Sequence, residues 1–233
     1  MGWKTLCIVG VFGMAATTTC ASATIIDVIY SGVVASSYDS TGALGSAGSN
    51  TYVGETYDIT YVYDTTIGNM SVEPGVQTLL YGGGDYGNAS PLVRTSLTIN
   101  GESVSFGPSS YVGYLEAYST AYFTEWNSRS QPNSNAFSQS YITGGPSSAP
   151  NVITSPFTYT VGSGFTTSSV FNDFDSVDVQ MNGDVATLSL VIPTAAVPEL
   201  STWAMAGLGF GALGVASLAR RRSAAAGNGM RSA

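Results

Sequence analysis

The sequence predicts an all-β fold, a single antiparallel β-sandwich or jelly-roll-like domain over residues 24–196. Apolar and polar residues alternate in several short runs, two Asn-Gly dipeptides separate such runs, and breakers such as Gly144-Gly145-Pro146 divide others. Alternation indicates strands with one packed and one solvated face. Many short strands divided by turns, with no long helical period, are typical of sandwiches and jelly rolls.

Five runs rich in β-branched and aromatic residues are predicted to be strands. They span residues 25–34, 52–64, 113–126, 136–142 and 157–161. Asn100-Gly101 and Asn182-Gly183 are each predicted to form a type I′ hairpin turn, in which both central residues need positive φ. The two hairpins would join 97–99 to 104–106 and 177–181 to 188–192.

The predicted domain lacks the side chains that many catalytic sites need. The sequence contains no His, its two Cys are Cys7 and Cys20, and its single Lys is Lys4. A Ser-His-Asp triad, a thiol nucleophile, a lysine Schiff base and a His/Cys zinc site are therefore excluded for residues 24–196. A disulfide is excluded as well. We expect no enzymatic activity, no cofactor and no metal.

Charge in this region is strongly one-sided. Residues 24–196 contain fourteen acidic side chains and only two basic ones, Arg94 and Arg129. Nucleic-acid binding requires clustered Lys and Arg side chains that meet the phosphates. The charge distribution therefore excludes nucleic acid as a partner.

The run 111–126 carries the candidate binding residues. If 113–126 is one strand, every fourth residue from Tyr114 projects from the same face with polar residues between. This aromatic ladder, a candidate for contact with exopolysaccharide rings, consists of Tyr114, Tyr118, Tyr122 and Trp126. Packing of these rings within the core is the alternative. Glu116 and Glu125 supply the carboxylate pair for another alternative, a secreted glycan-binding module or glycosidase.

Two weaker alternatives rest on short motifs. Residues 171–178 include Asp173, Asp175 and Asp178, whose oxygens suit calcium, but the spacing departs from an EF-hand loop, and a turn is the simpler interpretation. Thr158-Tyr159-Thr160 has the Thr-x-Thr spacing of a water-ordering β face, but no repeat supports ice binding.

Residues 1–23 are predicted to be a secretory signal peptide. Lys4 supplies the positive charge, 6–16 are mostly apolar, and Ala21-Ser22-Ala23 offers a small-x-small site, so we expect cleavage after Ala23. Lipoprotein processing at Cys20 is the alternative. It is disfavoured because 17–19 are all Thr and include no aliphatic residue.

The C-terminal tail is predicted to be a membrane segment. Residues 203–219 contain no charge, and three arginines follow at Arg220-Arg221-Arg222. As a helix this run would extend roughly 25 Å, at the short end of what spans a bilayer core. Because arginines stay on the cytoplasmic side, its C-terminus should be cytoplasmic.

This tail resembles a known family signal. Three features carry the resemblance: an acidic-aromatic motif, a short glycine-rich apolar helix and a terminal Arg cluster. The motif comprises Val197, Pro198, Glu199, Ser201, Thr202, Trp203 and Ala204. Together they resemble the PEP-CTERM sorting signal of Gram-negative bacteria, although Leu200 stands where the family usually has a second proline. An ordinary single-span anchor is the alternative.

The resemblance implies recognition in the membrane by an exosortase, followed by release or transfer to the cell surface. It places the sorting signal at 197–223 and a short cytoplasmic tail at 224–233. We therefore expect a protein exported through the inner membrane, transiently anchored, and then located at the cell surface or outside it. The expected role is non-enzymatic, either structural or associated with exopolysaccharide.

Overall fold

The computed structural model describes residues 25–147 and 149–193, and these residues form an antiparallel all-β fold, as predicted. Within them the only helical element is a short 3-10 helix at Gly84–Tyr86. Thirteen strands follow in chain order: β1 Ile25–Asp39, β2 Gly48–Ser49, β3 Thr56–Asp64, β4 Asn69–Glu73, β5 Gln77–Gly82, β6 Leu92–Ile99, β7 Glu102–Phe106, β8 Val112–Ser119, β9 Thr124–Gln131, β10 Ala136–Gly144, β11 Phe157–Thr160, β12 Thr166–Asp173 and β13 Val179–Val191.

All thirteen strands belong to one hydrogen-bonded sheet. Its order is β4-β5-β8-β9-β10-β12-β13-β1-β3-β6-β7, with β11 beside β13 and β2 beside β1. We call β4 to β12 of this order the first half and β13 to β7 the second half. The fold therefore differs from a pair of separate sheets, because β12 and β13 pair directly across the junction.

The two halves face each other, which makes the fold sandwich-like. Tyr30 on β1 lies with its hydroxyl 3.2 Å from Oγ of Ser128 on β9. Phe106 on β7 stacks against Phe171 on β12 with ring centroids 5.1 Å apart. Since these contacts join strands far apart in the sheet order, the sheet curls until its inner faces meet.

The core between the halves combines large tyrosines with small serines. Tyr61 of the second half is fully buried, and its hydroxyl lies 2.8 Å from Oγ of Ser138 and 3.1 Å from Oγ of Ser140. The Tyr63 hydroxyl donates to the backbone oxygen of Tyr114 at 2.7 Å. Small residues on one half leave room for rings from the other, and the hydroxyls remain hydrogen-bonded, as burial requires.

The first Asn-Gly hairpin is confirmed. Ile99 on β6 pairs with Glu102 on β7, so Asn100 and Gly101 are the two turn residues. Their φ angles are 53° and 86°, both positive as a type I′ turn demands.

The second predicted hairpin is wrong. Asn182 and Gly183 lie inside the thirteen-residue strand β13, and neither has the positive φ of a type I′ turn. A Cβ added to Gly183 would lie 2.5 Å from Cε1 of Tyr57 and 2.7 Å from the backbone oxygen of Val33. Glycine is required there because another chain segment packs against the backbone. In strands glycine can serve this close approach, whereas in a turn it serves positive φ.

The predicted strand 113–126 is also wrong, because two strands and a turn occupy this run. β8 ends at Ser119, β9 begins at Thr124, and the two pair in antiparallel register. The backbone N–H of Thr120 donates to the oxygen of Phe123 at 2.8 Å, and the Thr120 hydroxyl accepts the N–H of Phe123 at 3.1 Å. This turn contains neither glycine nor proline, so its sequence resembles the strands beside it.

The other predicted strands match β1, β3, β10 and β11 with altered ends. The predicted signal peptide at 1–23, with its cleavage site after Ala23, and the predicted sorting signal at 197–223 lie outside the described residues. No helix in the described part of the chain is both long enough and apolar enough to cross a membrane.

Candidate functional site

The candidate site lies on the solvent side of the first half. Side chains alternate along β5, β8, β9 and β10, so every second residue points away from the core. We call this surface the tyrosine–carboxylate face. Its residues are Gln77, Tyr114, Glu116, Tyr118, Glu125, Asn127, Arg129 and Tyr141.

The strand register places these residues in cross-strand rows. Tyr118 pairs with Glu125, and Glu116 pairs with Asn127 on the neighbouring strand. Residues directly opposite in an antiparallel pair project to the same side, so Glu116 and Glu125 are diagonal neighbours with Cβ atoms about 7 Å apart. Tyr141 on β10 continues the Glu116 row through Asn127. The structure thus brings together the two carboxylates that the sequence singled out.

The predicted ladder of four aromatics does not form. Trp126 is fully buried on the opposite side of the sheet, where its Nε1–H donates to the backbone oxygen of Pro150 at 2.8 Å. Tyr122 lies in the β8–β9 turn and is 86% exposed. Of the four predicted residues, Tyr114 and Tyr118 alone lie on the face, because the turn reverses the chain and changes which residues point outward.

The turn nevertheless adds an aromatic edge to the face. The rings of Tyr118 and Phe123 are in contact, with centroids 6.0 Å apart, and Phe123 is 39% exposed. Tyr122 lies in the same turn, and this turn borders the end of the face where Glu125 lies. Exposed aromatic rings beside hydrogen-bonding groups can contact a ligand that presents both apolar surface and hydroxyl groups.

Glu116 is held in one orientation by two donors. The side-chain N–H of Gln77 donates to Oε1 at 2.5 Å, and the Tyr114 hydroxyl donates to Oε2. Burial and then the hydrogen bond to Glu116 raise the pKa of Tyr114, so this phenol remains a donor at neutral pH. The carboxylate is therefore pre-positioned on the rigid sheet.

Glu125 differs from Glu116 in its environment. Partial burial raises the pKa of Glu125, the negative charge of Glu116 raises it further, and a hydrogen bond with Asn127 opposes them. A pair of carboxyls, one oriented by donors and one of raised pKa, can accept hydrogen bonds from hydroxyl groups. It is also the combination used in acid-base chemistry on glycosides.

Arg129 and the side-chain amides complete the face. The guanidinium carbon of Arg129 lies 5.5 Å from the ring centroid of Phe137, and Nη2 donates to Oε1 of Gln131 at 3.0 Å. Gln139 donates to Oδ1 of Asn127 at 3.2 Å. These side chains were not predicted as site residues. The sequence does contain a pattern that indicates them: Asn127, Arg129 and Gln131 alternate with serines, and the structure shows that these serines are buried.

The acidic loop 173–178 forms a turn. Oδ1 of Asp173 accepts the N–H of Ser176 at 3.1 Å, and Oδ2 accepts its hydroxyl at 2.8 Å. Asp178 accepts the hydroxyl of Ser40 at 2.5 Å. Within the described ranges, no group of three His, Cys, Asp or Glu side chains is placed to hold a metal ion.

The Thr-x-Thr motif lies on β11, at the margin of the sheet. Thr158 and Thr160 pair with Ser189 and Thr187 of β13, and the Ser189 hydroxyl donates to Thr158 at 3.0 Å. The motif therefore borders a hydroxyl-bearing surface on the second half, opposite the tyrosine–carboxylate face.

Comparisons with known proteins give no relative to set beside this site. No protein-family model, curated protein or solved structure matches the chain.

Proposed function

We propose that this chain is an exported surface or extracellular-matrix protein that binds neutral exopolysaccharide, without catalysis, through the tyrosine–carboxylate face. The observation that carries the proposal is the register of β8 and β9, which sets tyrosines, carboxylates and amides side by side on one outward surface. Sugar rings present apolar C–H faces and hydroxyl edges. Aromatic rings next to fixed polar groups complement both.

Charge favours a neutral polymer. The described domain has fourteen acidic residues against Arg94 and Arg129, so an anionic polysaccharide would meet a repulsive field. On the face, Arg129 is already engaged with Phe137 and Gln131. Glu116 and Glu125 are both partly exposed, and each carboxylate oxygen can accept more than one hydrogen bond from a hydroxyl.

Electrophoresis of the full chain through gels containing a polysaccharide tests this proposal. We expect retardation by at least one of hydroxyethyl cellulose, galactomannan and dextran, and none by alginate, which is anionic. Tyr118→Ala should reduce the retardation, whereas Tyr111→Ala should leave it unchanged, since Tyr111 is 52% exposed but lies off the face. Equal retardation of both variants would rule out the face as the binding surface.

Export and sorting form the second part of the proposal. The signal peptide with Ala21 and Ala23, the motif from Val197 to Ala204 and the cluster Arg220-Arg221-Arg222 support it. We expect an exosortase to process the chain at the membrane and leave the domain at the cell surface or in the matrix. The C-terminal mass after expression with and without an exosortase tests this. A product that keeps all three arginines in both strains would contradict it.

A glycosidase is the second candidate, favoured by one observation on the same face. Glu116 is oriented by two donors, as a nucleophile would be, and the pKa of Glu125 is raised, as in a general acid. In this scheme Glu125 protonates the leaving oxygen while Glu116 attacks the anomeric carbon and the glycosidic C–O bond breaks. Glu125 then takes a proton from water, whose oxygen displaces Glu116 from the anomeric carbon and releases the sugar. Release of reducing sugar by the wild type, lost in both Glu116→Gln and Glu125→Gln, would support hydrolysis over simple binding.

A further inference from the structure

The second half carries a groove on its own outer surface, at the point where the sheet bends. The groove has a volume of about 400 Å³ and lies across β13, β1, β3 and the β6–β7 turn. We call it the bulge groove. Its lining includes Ser31, Val33, Asp58, Thr98, Asn100 and Ala186.

A β-bulge accounts for the concave shape. Ser31 pairs with Thr187 and Gly32 pairs with Val185, so Ala186 is an extra residue without a partner on β1. Such a bulge bends the strand and re-aims the neighbouring side chains. Gly32 is required at this position, since an added Cβ would lie 1.8 Å from the backbone oxygen of Asp184. The groove is therefore a rigid feature of paired strands.

The lining suits an uncharged, hydroxyl-rich ligand. Hydroxyls of Ser31 and Thr98, the amide of Asn100 and the carboxylate of Asp58 surround the groove, and Val33, 47% exposed, supplies an apolar wall. No Lys or Arg is among the lining residues, which disfavours an anion. Acceptors and donors beside a small apolar surface, in a volume near the lower end of the roughly 300–1,000 Å³ typical of ligand pockets, match a short stretch of neutral saccharide.

The groove and the tyrosine–carboxylate face lie on opposite sides of the molecule. The inner faces of the two halves pack together through Tyr30, Tyr61 and their serine partners, so the outer surfaces point in opposite directions. We infer that the bulge groove is a second site for neutral saccharide, and that the protein cross-links polysaccharide chains by holding one on each side. The ligand class rests on the proposed function, whereas the site rests on the groove itself.

Two-sided binding has a consequence that one site cannot produce. A single site coats a polymer, while two sites on opposite faces connect separate chains and gain avidity from the second contact. Cross-linking should therefore require both surfaces, whereas binding to a polysaccharide should require only one of them.

Titration of the full chain with cellohexaose, mannohexaose and maltohexaose measures the number of sites. We expect two sites per chain for at least one probe and a single site after Ala186→Trp, whose indole fills the groove. Asp58→Ala removes a lining group at an exposed position and should weaken that site about tenfold. Ala89→Trp, a substitution of an exposed alanine in another loop, is the control and should keep both sites.

Light scattering of mixtures with hydroxyethyl cellulose, galactomannan or dextran measures cross-linking. The wild type and Ala89→Trp should form large assemblies, and Ala186→Trp and Tyr118→Ala should each bind without forming them. Two sites retained by both Ala186→Trp and Asp58→Ala would overturn the second site and leave the proposed function intact. Loss of binding only in the groove variants, with Tyr118→Ala unaffected, would support the groove and overturn the face. If the wild type binds no probe or polymer, both proposals fail.

Discussion

The buried carboxylate of Asp39 organises the loop that follows β1. Its Oδ1 accepts the N–H of Thr41, Gly42 and Ala43 at 3.1, 2.7 and 3.1 Å, and its Oδ2 accepts that of Leu44 at 2.9 Å. Burial acts to raise the pKa of Asp39, but these backbone hydrogen bonds outweigh it and hold the pKa below its ordinary value. The fold therefore favours the ionised side chain.

We expect Asp39→Ala to lower the free energy of unfolding by about 2–4 kcal/mol at pH 7, because several N–H groups lose their acceptor. Since the folded pKa lies below the unfolded one, this stabilisation is present above the ordinary pKa of 3.8 and is lost as the pH falls through the folded pKa. Urea unfolding at pH 7 and pH 3 measures both effects. Asp85→Ala, at an exposed position, is the control, and an Asp39→Ala effect unchanged at pH 3 would contradict the assignment.

Glu125 should behave in the opposite sense. Its folded pKa is raised by burial and by Glu116, so its protonated form is the one the fold prefers. Its contribution to stability is thus complete below the unfolded pKa and declines as the pH rises through the folded pKa. Glu125→Gln should stabilise the protein by up to about 1 kcal/mol at pH 7 and by less at pH 4. Thermal unfolding at both pH values checks this, and destabilisation by Glu125→Gln at pH 7 would exclude a destabilising repulsion between Glu116 and Glu125.

At the scale of single elements, the long strands β1 and β13 determine how the sheet folds onto itself. Both belong to the second half, next to the junction with β12, and their pairing is interrupted by register shifts at Ser31/Gly32 and Val34/Ser36. Gly183 lies opposite Val34 at this bend, under the ring of Tyr57. A side chain there would push β13 away from the backbone of β1 and from the ring of Tyr57 on β3.

Gly183→Ala should therefore destabilise the protein by about 1–3 kcal/mol through overpacking. The added Cβ would be 2.5 Å from Cε1 of Tyr57, and one of the contacts to be relieved is with backbone. Gly162→Ala is the matched control, because an added Cβ there meets nothing within 4 Å. Chemical denaturation of both variants measures the difference. A Gly183→Ala protein as stable as the control would show that the bend does not depend on this approach.

The elements were predictable where local chemistry alone decides them. Asn100-Gly101 forms its hairpin because positive φ at two adjacent positions is a local requirement. Asn182-Gly183 is the same dipeptide, but Gly183 permits a tertiary contact with Tyr57, and local sequence patterns do not predict such a contact. The Thr120–Phe123 turn was missed for a related reason, since its stability comes from the Thr120 side chain and not from a turn-forming glycine or proline.

At the scale of the whole molecule, the core explains why the candidate site was only partly predictable. Ser128, Ser138 and Ser140 lie fully buried against tyrosines of the other half, although serine in a sequence usually indicates an exposed position. Their neighbours Asn127 and Arg129 consequently point outward. Glu116 and Glu125 could be selected from the sequence, but their proximity depends on the β8–β9 register.

The molecule presents two chemically different surfaces on one rigid sandwich-like body. One has tyrosines and a carboxylate pair, and the other has a groove at a bulge that is lined by hydroxyls, an amide and the single carboxylate of Asp58. A strongly acidic chain with few cations is poorly suited to anionic partners, and this charge supports the proposal that both surfaces bind uncharged, hydroxyl-rich ligands.

Binding of a neutral oligosaccharide to the tyrosine–carboxylate face is the central proposal, and the dissociation constants of Tyr118→Ala and Tyr111→Ala test it most directly. Titration of each full-length variant with the hexasaccharide that the wild type binds, followed at the face by the NMR signals of Asn127, gives these constants. We expect Tyr118→Ala to weaken binding about tenfold or more, by at least roughly 1.4 kcal/mol, and Tyr111→Ala to match the wild type. Equal dissociation constants for the two variants would contradict the proposal.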